Sequence, residues 1–228
     1  MHDLSPLIMK DFFLMIRTKR PREIILKSTL ILSLYVFTIY TYGSPKLIYG
    51  FAFLISFLSF YAPLIFNLDT QVYIKLFTTP VLLSRYVKSK IFFIQVINFI
   101  YGLIVVTISM IFSFDQSLLI LSFTILNSSL LTYLTLYFSS FKLTPIDVSL
   151  RKPSPLNGYN INNFISMLSP LILLMTIIII DVLFDPSNLT IAAALVIISV
   201  LHYLIFRKIW EKKIEANLIK NKHHMHND

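Results

Sequence analysis

The stretch Asn67–Lys90, NLDTQVYIKLFTTPVLLSRYVKSK, is the longest polar interruption in the first half of the chain, and it lies between two hydrophobic runs each long enough to cross a bilayer. It carries its own helix punctuation. Asp69 is placed to cap a short helix through Phe77, its carboxylate accepting from N–H groups that a first helical turn leaves unpaired. Thr79 followed by Pro80 is a second start signal, a cap residue and then proline at the first helical position. Arg85, Lys88 and Lys90 load the far end with positive charge where the chain re-enters lipid. A bare connection between two spans needs only a few residues. Two readings stay open for a loop of this size: an ordered loop with snorkelling basic side chains, or a surface made to be touched by a partner.

Outward from this stretch, composition sets the broad class. The 228 residues are 56% hydrophobic and 14% charged, with a mean hydropathy of +0.76. A soluble domain could not hide that much apolar surface, so the expectation is an all-α membrane protein. Six spans are predicted, near Ile24–Tyr42, Ile48–Asn67, Ile91–Phe114, Ser117–Phe138, Phe164–Leu183 and Leu189–Phe206, each close to the length that ~30 Å of hydrocarbon requires. Tyr40, Tyr42, Tyr49, Tyr203 and Trp210 fall near the expected interfaces, as aromatic belts do. The loop Phe141–Asn163 holds Pro145, Pro153, Pro155 and Gly158 and reads as a connector without regular structure. The chain thus reads as one transmembrane domain, with residues 207–228 as a tail.

Basic residues give the orientation. Of the 20 Lys and Arg residues, only Lys46 falls in a loop on the side opposite the termini. By the positive-inside rule both termini are expected in the cytoplasm, and the expected location is a bacterial cytoplasmic membrane. The net charge of +9 suits a lipid bilayer with anionic headgroups, and no nucleic acid is needed to explain it.

The opening residues do not resemble a signal peptide, because Lys10-Asp11 break the apolar stretch. Ser5-Pro6 reads as the start of a helix running to about Thr18. At about 100° per residue, Ile8, Met9, Phe12, Phe13, Met15 and Ile16 share one side and Lys10, Asp11, Arg17 and Thr18 the other. Residues 1–22 are therefore expected to include an interfacial helix in the headgroup plane.

Several chemistries lack their residues. Cysteine is absent, so no disulfide, thiolate metal site or cysteine nucleophile exists. The glutamates Glu23, Glu211 and Glu215 all fall outside the predicted spans, and no serine elbow or repeated-Asp motif occurs. His202 is the sole histidine in a predicted span and reads as a packed, hydrogen-bonded group. The His223–His226 tail is expected to be disordered. Nothing matches the Gly-rich phosphate loop, so the chain is not expected to hydrolyse ATP or to act as an enzyme, and no cofactor or metal is assigned to it.

The run Thr78-Thr79-Pro80-Val81, with Lys90 ten residues after the proline and a new span starting there, resembles the signature of ABC-2-type transporter permeases. Asp69-Thr70 hold the polar opening of that signature, Thr79-Pro80-Val81 its centre and Ser89-Lys90 its end. Leu82-Leu83-Ser84 depart from it, where the family usually shows Ser and Arg. The resemblance implies a membrane subunit of an exporter, with ATP and magnesium held by a separate ATPase subunit and with a second permease copy or homologue completing the pore. It implies that the loop forms a coupling helix, so that Asp69, Thr70, Tyr73, Phe77, Thr79 and Pro80 touch the ATPase, with the N-terminal helix as a second contact. Two other classes are weighed beside it. A stand-alone secondary transporter or channel often shows inverted repeats and glycine-interrupted spans; no repeat is detectable and only 4 glycines are present. A membrane-bound enzyme or assembly factor lacks its catalytic residues.

In the fifth predicted span, Asn162, Ser166, Ser169 and Thr176 fall within roughly 80° of one another on a helical wheel. Asn163, Pro170 and Asp181 lie on the adjoining flank, opposite a wholly apolar side. A polar stripe is costly against lipid, so it is expected to face a neighbouring helix or a water-accessible path. The family resemblance implies the permease–permease seam lining the translocation route, with Asp181 at its outer mouth.

Overall fold

The computed structural model describes residues 5–42, 58, 61–69, 80–143, 161–184 and 187–225, and every regular element among them is helical. The α-helices are α1 (Ser5–Arg17), α2 (Lys19–Tyr42), α3 (Pro80–Met110), α4 (Phe114–Leu126), α5 (Thr132–Ser139), α6 (Ile161–Phe184), α7 (Asn188–Leu201) and α8 (Arg207–Met225). Two π-helical segments, Asn127–Leu131 and His202–Phe206, join α4 to α5 and α7 to α8, so each pair forms one long rod. Two 3-10 turns, Ala62–Leu64 and Asn67–Asp69, precede α3.

Three helices among the described residues are long and apolar enough to cross a membrane: Leu83–Met110, Phe114–Ser139 and Asn188–Asn221. Phe164–Ile177 is a shorter apolar helix. The α4–α5 rod sits centrally, with α3 and α7 packed on α4 and α6 packed on α5. Leu119, Ile120, Phe123 and Leu126 of α4 are accordingly buried, whereas Leu103 and Ile104 of α3 and Ile197 and Ile198 of α7 face outward, as lipid-facing side chains do. At the α3–α4 seam a Cβ on Gly102 would fall inside the Thr124 side chain, so glycine is what lets these backbones approach. Tyr35 on α2 is fully buried and shares a hydrogen bond with Ser109 Oγ of α3.

Several boundaries differ from the sequence reading. Pro80 does open a helix, but that helix runs unbroken through Lys90 to Met110. Nothing between Val81 and Ile91 is a glycine or proline, so the expected separate helix and span fuse into one rod. Residues 61–69, at the end of the second predicted span, form 3-10 and turn geometry in place of an α-helix, with Pro63 withdrawing one N–H. Most of the loop 141–163 lies outside the described residues, although α6 already begins at Ile161 within it. The tail also differs from expectation: α8 stays helical through Met225. Ile214 and Leu218, one turn apart, are fully buried, and Asn221 Nδ2 donates to the Ser140 carbonyl at 2.7 Å.

Candidate functional site

α1 and the residue after it turn Asp11, Met15 and Thr18 inward, while Arg17 stays exposed and Lys10 half-buried. Asp11 and Thr18 are buried, while Met9, Phe12, Phe13 and Ile16 lie exposed on the outside. Lys90 supplies the physical reason. It sits in the described core at 2% exposure, and its ammonium donates to Asp11 Oδ1, which is equally buried. A buried charge needs a partner of opposite sign, so α1 is held against α3 with Met9, Phe12, Phe13 and Ile16 left on the outside. The Lys90 ammonium also lies 5.0 Å from the Tyr86 ring centroid.

A second polar cluster gathers where the π-helical segments meet. Arg207 Nε donates to Glu211 Oε1 at 2.9 Å, one turn along α8. The Tyr133 hydroxyl, from α5, donates to the same carboxylate oxygen at 3.5 Å. Arg207 also donates to the Tyr203 hydroxyl, its guanidinium carbon 4.9 Å from that ring's centroid. The His202 ring lies 5.3 Å from the Tyr133 ring, buried at 4% exposure. Neither ring nitrogen of His202 has a hydrogen-bond partner among the described residues, which corrects the reading of a hydrogen-bonded histidine. Glu211, read as lying outside the spans, is buried on the rod that continues the last one. Deeper in the bundle, Asn98 Nδ2 donates to Thr132 Oγ1 at 3.2 Å, and that hydroxyl donates to the Asn127 carbonyl at 2.9 Å. π-Helical turns are frequent at functional sites because they redirect side chains and backbone acceptors.

Beside this cluster a cleft of about 810 Å³ opens between α1, α3 and the α7–α8 rod. Its apolar lining comes from Ile91, Phe92, Phe93, Val96, Ile97 and Ile100, of which Phe92, Val96 and Ile100 are exposed, and Ile8, Met9 and Phe12 of α1 close one side. Lys88, Gln95, Tyr133, Tyr203, Arg207 and Glu211 make the rest polar. Asp11 and Lys90, and Tyr133 with Glu211, gave no sequence signal of pairing, because each partnership joins distant segments. The Glu211-Arg207 pair is legible only as opposite charges one helical turn apart.

The residues singled out from sequence fall as follows. Asp69 closes the second 3-10 turn and Pro80 starts α3, while Thr70, Tyr73, Phe77 and Thr79 lie outside the described residues. On α6, Ser166 is buried, donating to the Thr135 carbonyl at 2.8 Å and lying 3.0 Å from Ser139 Oγ. Ser169 donates to the Ser166 carbonyl at 2.9 Å, and Asn162 is half-buried. Thr176 is exposed and bonds only its own helix, at the Ile172 carbonyl, among the described residues. Asp181 lies near the far end of α6, and its side chain is outside the described part.

Fold and site together define a membrane protein that is helical throughout its described residues, with a buried Asp11–Lys90 pair and a partly exposed Arg207–Glu211 pair. The chain belongs to a family of unknown function, DUF5687, whose sequence profile matches residues 2–227. No curated protein and no solved structure matches it.

Proposed function

We propose that this chain is the six-span permease subunit of an ATP-driven exporter, working in a bacterial cytoplasmic membrane with both termini inside. A separate ABC ATPase subunit binds the ATP and magnesium, and a second permease, identical or homologous, completes the transport unit. The observation that carries the reading is the helix that Pro80 opens. It begins directly after the Thr78-Thr79 run of the permease-like signature, continues into a span, and is clasped to α1 through Asp11 and Lys90. A push on the loop 67–90 would therefore act on a continuous rod and on the N-terminal helix at once. Asp69, Thr70, Tyr73, Phe77, Thr79 and Pro80 are assigned to the ATPase contact. Asn162, Ser166, Ser169, Thr176 and Asp181 are assigned to the permease interface or transport path, with Ser166 packing on α5.

A stand-alone secondary transporter is the second reading, favoured by His202, whose buried ring nitrogens have no partner among the described residues. A photoreactive amino acid at Tyr73 or Phe77 separates the two. Crosslinking in native membranes to a chain that mass spectrometry identifies as bearing a phosphate loop is the result expected of the permease. Crosslinks to lipid or to this chain alone would favour the secondary transporter.

A further inference from the structure

The cleft beside Arg207 combines a basic, hydroxyl-rich rim with a long apolar floor, a pairing that neither ion-pair packing nor ordinary lipid contact requires. Along α3 its lining runs Lys88, Ile91, Phe92, Phe93, Gln95, Val96, Ile97 and Ile100, a stripe that wraps more than half of the helix over about three turns. From Lys88 to Ile100 that stripe extends about 18 Å at ~1.5 Å per residue. Half of a ~30 Å hydrocarbon core is roughly 15 Å. Without the Lys88 rim, the apolar part from Ile91 to Ile100 is about 14 Å, close to the depth of one leaflet.

Lys88 and Arg207 both line the cleft. Lys88 lies on the first turns of α3, and Arg207 opens the Lys- and Arg-rich α8, segments that the positive-inside rule assigns to the cytoplasmic side. Two cations, Lys88 and Arg207, face one carboxylate, Glu211, in the lining, and the hydroxyls of Tyr133 and Tyr203 stand beside them. The lining is thus net positive by one charge. Arg207 is about 40% exposed, and two of its five N–H groups are committed to Glu211 and Tyr203, so its fork presents donors toward the cleft. Phe12 and Met9 of α1 stand exposed along the side, where an acyl chain would pass from the bilayer.

We propose that this cleft binds an anionic glycerophospholipid from the inner leaflet. Its phosphate end lies between Lys88 and Arg207, and one acyl chain runs along α3 to Ile100. Charge complementarity at the rim and the match between floor length and leaflet depth select this occupant. A neutral zwitterionic lipid leaves the extra positive charge unanswered, and a free phosphate leaves the apolar floor in water. The proposal stands independently of whether the chain is a permease.

The test uses the purified full chain in a neutral detergent, with lysophosphatidylglycerol and lysophosphatidylcholine as probes and native mass spectrometry or calorimetry as the readout. The expected result is at least about tenfold tighter binding of the anionic probe, the effect of one charge-assisted contact. Lys88→Gln should reduce that preference. Ile100→Trp fills the floor at a half-exposed position and should abolish binding while the elution profile and thermal midpoint stay unchanged. Equal binding of the two lysolipids, or unchanged affinity in the Ile100→Trp chain, would overturn the proposal. Displacement of the lysolipid by an equal concentration of inorganic phosphate would also overturn it, in favour of a phosphate subsite alone.

Discussion

Replacing Lys90 with Met, or Asp11 with Leu, removes one half of a pair in which both side chains are only 2% exposed. Leaving a single buried charge costs on the order of 3–5 kcal/mol. The bundle has a cheaper response than unfolding. α1 is tied down by few buried side chains, chiefly Asp11, Met15 and Thr18, and a buried methionine contributes only about 1.5–3 kcal/mol. The single variants should therefore loosen α1 from α3, so that the remaining charge gains access to water. The absence of native cysteine permits a clean reporter: Thr18→Cys, at a position 8% exposed, probed with a water-soluble maleimide. Each single variant should speed labelling at least about thirtyfold, which is ~2 kcal/mol at 1.4 kcal/mol per decade. The double variant Asp11→Leu, Lys90→Met has no charge to rehydrate, so its labelling should return to within about tenfold of the parent. The coupling between the two sites should then be on the order of 2–3 kcal/mol. Single variants that change labelling by less than about threefold, or a double variant that labels faster than either single, would refute the clasp.

Gly102→Leu should destabilise the bundle by about 1–3 kcal/mol, because the new side chain must displace Thr124; unfolding in mixed micelles measures this, and Gly102→Leu combined with Thr124→Ala should recover part of the loss. Glu211→Gln should lower stability by about 1.5–3 kcal/mol through loss of the charged acceptor shared by Arg207 and Tyr133, read as a drop in thermal midpoint. On α6, a thiol at the exposed Thr176 should react with a water-soluble reagent or cross-link to a second copy, whereas thiols at Leu171 and Met175 on the apolar side should do neither. Tyr73→Ala combined with Phe77→Ala should abolish transport while membrane insertion and expression stay normal, because both rings belong to the proposed ATPase contact.

Hydropathy and local punctuation made much of the fold legible. Pro80 stands at the start of α3, and α2 runs through Tyr42 over the whole of the first predicted span. Those signals act over a few residues and need no knowledge of neighbours. What escaped were facts of tertiary origin. The amphipathic pattern of α1 is legible in the sequence, but which of its residues pack inward is not, because the position of Lys90 decides that Asp11 faces inward. Glu211 looks like one more charge in a basic tail until Tyr133, 78 residues away in sequence, is seen beside it. The π-helical turns at Asn127–Leu131 and His202–Phe206 lack any Gly or Pro to announce them, since they arise from packing between rods. The polar stripe on α6 was legible as a pattern, but whether each hydroxyl meets a neighbouring helix was not: Ser166 does, and Thr176 lies on the exposed side.

The most direct test of the permease reading is purification of the tagged full-length chain from its native membranes, followed by identification of the proteins held in stoichiometric amount and a measurement of ATP hydrolysis. The permease reading predicts a separate nucleotide-binding chain with a phosphate loop in the complex, and hydrolysis that disappears when that chain is stripped away. A complex that holds no such ATPase, from membranes in which one is expressed, would contradict it.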